Sequence, residues 1–354
     1  MTKRIMTAGV PWVRVWLLAL VVGLVGISAN EYLLRCAGHR PSLVADPALW
    51  GATYGRFLET STARSVVLLG ASRMQANIDL DVVREQTDCD QVYQLALSGR
   101  GSARAIFEAI VRETDFVGTV ILSETEATLV SDGLAQAGIL RKSARAPLDS
   151  SLNRRIANSL QSRFVFLNPN SSSLRLWGNL LIEREWPEAV HVITHPDRSQ
   201  DIDFSMRDVD RISNLRAETM RQGEANQAPS VDPETWMKAA LSNWHPSVET
   251  FTARGGTVVF VRFPVSSQRW QQEGRVWPVA EFWNPLMERL QVSTVHFADY
   301  PNMSVFELPD SSHIDFKDKP KFTRQLFQLD SMQNLSQRHS KNHAQNRSHH
   351  TVLQ

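Results

Sequence analysis

Cysteine is almost missing. The 354 residues include two, Cys36 and Cys89, too few for a disulfide framework, and no C-x-x-C or Cys/His spacing of the zinc type runs through them. In an oxidising compartment the two would pair; two unpaired thiols is the equal alternative. An excess of either charge is missing as well. Lysine plus arginine number 38 against 37 aspartates and glutamates, and no long basic stripe lies outside the termini, which argues against nucleic acid or any other partner held by bulk charge. No P-loop occurs, and no G-x-G-x-x-G follows an apolar run, so neither nucleotide chemistry nor a cofactor is expected. No internal repeat is visible, and no histidine spacing supports a metal site: His191, His195 and His245 lie scattered.

What is present begins with a long uncharged run. Lys3, Arg4 and Arg14 precede Val15 to Ala29, a segment without a charge. Counted from Gly9, it is long enough to cross a hydrocarbon core of ~30 Å, which needs roughly 20 residues, with Arg14 snorkelling to the interface. The basic leader places residues 1–8 in the cytoplasm and the rest of the chain in the periplasm, behind a single-pass anchor at 9–29 in the inner membrane. Trp12, Trp16 and Tyr32 fit interfacial belts. A cleaved signal peptide, with Gly26-Ile27-Ser28 as the small-residue site, is the competing reading.

Residues 30–63 form a neck and a packing helix through Leu49, Trp50, Tyr54, Phe57 and Leu58. Then Val66 to Leu69, Val92 to Leu97 and Gly118 to Ser123 alternate with helical periodicity, the pattern of parallel βαβ units. The rhythm breaks over residues 131–250, where helical stretches at 152–160, 209–222 and 233–243 suggest a helical insertion or lid; a separate second domain is the alternative. The sheet resumes at Gly255 to Pro264 and ends at Thr294 to Phe297. The main domain is thus expected over residues 64–330. Residues 331–354, rich in Gln, Asn, Ser and His, read as a disordered polar tail. Of the ten tryptophans, packing roles outweigh a sugar-stacking cleft.

Two short stretches carry chemistry. Ser65 to Leu69 runs into Gly70-Ala71-Ser72-Arg73, an apolar strand whose carboxyl end delivers a small hydroxyl onto a turn, where open α/β sheets put their ligands. Leu308 to His313 offers Asp310 and His313 three residues apart. A serine hydroxyl needs an imidazole to take its proton, and the imidazole needs a carboxylate to fix its tautomer. Ser72, His313 and Asp310 are the set that fits, one following the first strand and the others the last. The amides of Ser72 and Gly99 are candidate oxyanion donors. The plain alternatives are a helix cap for Ser72, a surface histidine for His313, and a glycine required only for positive φ at Gly99.

Gly70-Ala71-Ser72-Arg73, Ser98-Gly99 and Asp310-x-x-His313 resemble three of the four motif blocks of the SGNH (GDSL-type) hydrolases, over roughly residues 64–125 and 255–329. The resemblance implies a flavodoxin-like three-layer α/β/α fold with a mostly parallel sheet. It also implies Ser72 as nucleophile, His313 as base, Asp310 as its partner, and the Ser72 and Gly99 amides in the oxyanion hole. The fourth block departs: members carry Gly-x-Asn after the third strand, and here stands Leu122-Ser123-Glu124-Thr125-Glu126. An ionised Glu124 would repel an oxyanion, while the Thr125 hydroxyl could donate to one. The anchored layout is similar to SGNH-like proteins of polysaccharide O-acetylation, including the periplasmic alginate acetylation proteins. By that likeness the substrate is an acylated glycan or small acyl ester, acted on by hydrolysis or O-acyl transfer, alongside a membrane-bound O-acyltransferase partner. A non-catalytic scaffold of an envelope polysaccharide assembly is the alternative.

Overall fold

The computed structural model describes residues 12–99, 101–132, 136–139, 150–168, 177–184, 191–206, 208–215, 218 and 232–333. The expected cytoplasmic tail, nearly all of the expected disordered tail, Trp186 and the later part of the helix expected at 209–222 lie outside them. Helix α1 (Trp12–Cys36) is long and apolar enough to cross a membrane, and among the described residues nothing buries its apolar stretch. It continues into what the sequence suggested was neck. Leu34 is buried beside Val165, Glu31 accepts from the amides of Val165 and Phe166 at 3.1 Å each, and Arg35 donates to the Arg163 carbonyl at 2.7 Å. Cys36 and Cys89 are free thiols.

After α2 (Pro47–Thr60) come β1 (Val66–Leu69), α3 (Ser72–Ala76), α4 (Leu80–Thr87), β2 (Val92–Gln94), α5 (Arg104–Glu113), β3 (Thr119–Ser123) and α6 (Glu126–Leu129). Helix α7 (Ser150–Gln161) and a hairpin of β4 (Val192–Thr194) and β5 (Gln200–Ile202) follow. The chain then forms α8 (Pro233–Ala253), β6 (Thr257–Arg262), α9 (Ser267–Val276), α10 (Trp283–Leu290), β7 (Ser293–His296) and α11 (Lys319–Phe327).

The main sheet has the order β2-β1-β3-β6-β7, and every pairing is parallel. Side chains alternate across a strand, so one strand feeds two cores. Val67 and Leu69, Val120 and Leu122, Val258 and Phe260 face the layer holding α2, α5, α8 and α10. Val66 and Leu68, Ile121, Val259 and Val261 face the layer of α3, α4 and α11. Burial on both faces is why these strands read as unbroken apolar runs rather than alternating ones.

Most of helix α8 falls within the segment that the broken rhythm assigned to an insertion, yet it belongs to the sheet-covering layer. Trp236, Met237, Ala240, Trp244, Val248 and Phe251 along one side of it are all buried in the first core. Buried indoles need a partner for their N–H. Trp236 Nε1 donates to the Glu126 carbonyl at 3.0 Å, and Trp244 Nε1 to that of Leu129 at 2.9 Å. At the other end, Met332 is 1 % exposed in the second core, so the polar tail begins later than residue 331.

Candidate active site

In this strand order the chain leaves β1 toward β2 on one side and β3 on the other, which makes the carboxyl end of β1 a switch point where a crevice opens. Gly70 leaves that end with φ +144°, and a Cβ there would lie 2.9 Å from both Ser123 Cβ and the Ser123 carbonyl oxygen. Glycine is required because β1 and β3 approach too closely for any side chain, at a φ that side chains resist. Helix α3 starts immediately afterwards with Ser72. Ala71, not Ser72, is its cap residue and makes no side-chain capping bond, so the serine is not spent as a cap.

Two polar side chains of this short segment tie the other site elements to it. Gln75 Oε1 accepts from the Ser98 amide at 2.9 Å and the Ser98 hydroxyl at 2.6 Å, fixing the turn that carries Gly99. That glycine is exposed, with φ +66° and open space where a Cβ would stand. Asn77, the buried cap residue at the end of α3, donates through Nδ2 to the Ser312 carbonyl at 3.3 Å and accepts through Oδ1 from the Ile314 amide at 3.1 Å. The two bonds bracket His313. At a rise of ~1.5 Å per residue, Ser72 and Asn77 lie roughly 7.5 Å apart along the helix, so Ser72, the Gly99 turn and the His313 loop are held around one short helix.

Within that loop His313 Nδ1 meets Asp310 Oδ2 at 2.6 Å. Asp310 Oδ1 also accepts from the backbone amides of Ser312 at 3.0 Å and His313 at 2.8 Å. Burial pushes the Asp310 carboxyl up, but the His313 ring and the two amides outweigh it and hold it at about 2. The carboxylate is therefore charged and aimed at Nδ1, which leaves Nε2 as the working nitrogen. His313 Nε2 is buried and, among the described residues, makes no hydrogen bond, including to Ser72.

The block after β3 takes a course that the sequence did not indicate. Glu124 turns away from solvent onto the start of α5, where Oε1 accepts from the Ala103 amide at 2.7 Å and the Ser102 hydroxyl at 3.5 Å. Burial raises its carboxyl to about 7 against those bonds, so near neutrality it carries at most part of a negative charge. Thr125 caps α6, accepting from the Thr128 amide at 3.3 Å, and its hydroxyl is engaged there. Beyond it, Glu126 Oε2 accepts from Arg262 Nε at 3.1 Å, and Arg262 Nη2 reaches Glu273. Among the described residues, no group of three or more His, Cys, Asp or Glu is placed to hold a metal ion.

Gln75, Asn77 and Arg262 were not singled out from sequence. Their one signal was polarity inside otherwise apolar context: Gln and Asn in the turn behind a buried strand, and Arg closing Thr257 to Val261. The β4–β5 hairpin also gave little sign of itself. It clamps the end of β2 through Arg198, whose Nε donates to the Gln94 carbonyl at 3.0 Å and Nη2 to that of Ala96 at 2.6 Å.

No protein-family model and no curated protein sequence matches this chain. Among solved structures, a crystal structure of TesA is similar over 77 % of this chain and 99 % of that one, at 9 % identity and a TM-score of 0.35. A likeness that distant adds nothing to the reading of the site, which stands on the geometry above.

Proposed function

We propose that this chain is a membrane-anchored, extracytoplasmic SGNH-like acyl-ester hydrolase or O-acyltransferase, with Ser72 as nucleophile, His313 as base and Asp310 as its orienting acid. One observation carries the reading: an Asp310-oriented imidazole with a buried, unengaged Nε2 sits on a loop that Asn77 fastens to the helix Ser72 begins. In the proposed reaction Ser72 Oγ attacks the ester carbonyl while His313 Nε2 takes its proton. The carbonyl π electrons move onto oxygen, near the amides of Ser72 and Gly99. Collapse expels the alcohol, which leaves with the proton from His313. Water or a sugar hydroxyl then attacks the acyl-enzyme, giving its proton to His313, which returns it to Ser72 Oγ as the acyl–Oγ bond breaks and the acyl group departs as acid or as a new ester. Hydrolysis and transfer differ only in that acceptor. Helix α1 has the length and apolarity of a membrane anchor; the proposed arrangement sets it in the inner membrane with the catalytic domain in the periplasm, O-acetyl groups of a glycan as substrate and a membrane-bound O-acyltransferase as partner.

The absence of a side-chain amide after β3, and of a Ser72–His313 hydrogen bond, favours a second reading as a non-catalytic binding component. Labelling of the detergent-solubilised full chain with a fluorophosphonate separates the two. Labelling of wild type that disappears in Ser72→Ala and His313→Ala supports the enzyme; a folded wild type that takes no label moves the reading to the scaffold.

A further inference from the structure

The residue after the proposed nucleophile is the unexplained one. Arg73 is half-buried, and its guanidinium, with five donors, takes no hydrogen bond or ion pair among the described residues. Its surroundings are charged. Glu126 follows β3, Arg262 ends β6, and α9 brings Arg269 and Glu273 to the same edge of the sheet. Within that group the existing pairs engage three of the four carboxylate oxygens, while Glu126 Oε1 accepts no hydrogen bond and lies 3.9 Å from His296 Nε2. Arg262, whose side chain is 0 % exposed, bonds Glu126 Oε2 at 3.1 Å, the Phe263 carbonyl at 3.2 Å, and Glu273. Arg269 Nε donates to Glu273 Oε1 at 2.7 Å. Three guanidinium groups face two carboxylates, so one positive charge is left over, and the group without a partner is Arg73.

Electrostatics agrees with this placement. Burial, then Arg262 and Arg269, lower the Arg73 guanidinium to about 9, with Glu273 and Glu126 acting in opposition. Glu273, raised by its own burial, is in turn lowered by Arg262, Arg269 and Arg73 together. A desolvated, uncompensated guanidinium is costly unless an anion completes it, and its planar fork fits a carboxylate or phosphate with two parallel bonds.

We infer that Arg73 forms an anion subsite beside Ser72, so that the ester this protein handles carries a carboxylate or phosphate group near the scissile bond. The inference rests on the esterase reading only for its position relative to the reaction; the subsite itself is a matter of binding. In this reading Arg73 is a specificity residue, and the departed fourth block is part of the same device, because Glu126 anchors Arg262, whose charge acts on the Arg73 guanidinium.

The test compares three aryl acetates on the detergent-solubilised full chain: methyl 4-acetoxybenzoate, which is neutral, 4-acetoxybenzoate and 4-acetoxyphenyl phosphate. Wild type is expected to favour at least one anionic ester over the neutral one in kcat/KM, and Arg73→Gln to reduce that ratio at least 10-fold, chiefly through KM. Arg73→Lys should keep part of the preference, which a purely structural arginine would not predict. The anion that loses more identifies the group recognised. A ratio unchanged in Arg73→Gln overturns the inference, as does an equal fall on all three esters, which would assign Arg73 to the reaction centre or to folding. If no ester turns over, the esterase reading fails, and titration of benzoate and phenyl phosphate into wild type and Arg73→Gln, followed by calorimetry, decides the subsite alone: binding lost in the variant sustains it, and equal or absent binding removes it.

Discussion

Asn77→Ala is the sharpest test of the architecture, because one small side chain joins the helix of Ser72 to the loop of His313. The change deletes the donor to the Ser312 carbonyl and the acceptor for the Ile314 amide. Asn77 is buried, with no exposed surface, so water cannot replace either bond without rearrangement. Each backbone group left unsatisfied costs about 1–3 kcal/mol, giving a loss of about 2–6 kcal/mol for the pair. With a urea slope of about 3 kcal/mol/M, that is a fall in midpoint of roughly 1 M, read by fluorescence of the tryptophans in the detergent-solubilised chain. The functional loss should exceed what unfolding explains. A displacement of His313 by about 1 Å costs on the order of 100-fold in rate, so fluorophosphonate labelling should slow by that factor under conditions where the variant is still folded. Asn77→Asp should be no better, since it keeps the acceptor for Ile314 but turns an oxygen toward the Ser312 carbonyl. A midpoint within about 0.3 M of wild type, with labelling unchanged, would refute the claim that this side chain holds the two halves of the site together.

Three further outcomes follow from the same geometry. Gly70→Ala places a Cβ 2.9 Å from the backbone and side chain of Ser123 at φ +144° and should destabilise by more than about 1 kcal/mol, a value that unfolding by urea measures; a neutral result would mean β1 and β3 can separate freely. The raised Glu124 carboxyl makes its contribution most favourable below its unfolded value of 4.5, and that contribution is lost as pH rises through about 7. Stability of wild type should fall by about 3 kcal/mol across that window, and Glu124→Gln should flatten the slope in unfolding experiments run from pH 4 to pH 8. The Asp310 carboxyl, held at about 2 against 3.8 unfolded, contributes in the opposite sense: about 2 kcal/mol is present above pH ~4 and lost as pH falls toward 2. Asp310→Asn should remove that acid-limb loss, and should slow Ser72 labelling at neutral pH by up to about 10⁴-fold because the imidazole loses the partner that sets its tautomer.

The apolar runs at Val66, Val120 and Val258 determined the parallel sheet by themselves, because a strand buried on both faces has no polar alternation to confuse it with a surface element. The same local logic made residues 9–29 legible as a candidate membrane span, and Asp310 and His313 legible as a pair, their separation being three residues of chain. Tertiary structure alone decided the rest. That α8 joins the core rather than an insertion depended on which of its faces met β6 and α5, and composition does not say what a helix will face. The role of Glu124 turned on a contact with Ala103, 21 residues away, that converts a charged block into a buried cap. Gln75, Asn77 and Arg73 acquire meaning only from partners, or from the want of one, at sequence distances that no spacing rule spans. The chain supplied the elements and the candidate chemistry, while the convergence of loops on one five-residue helix was fixed by packing.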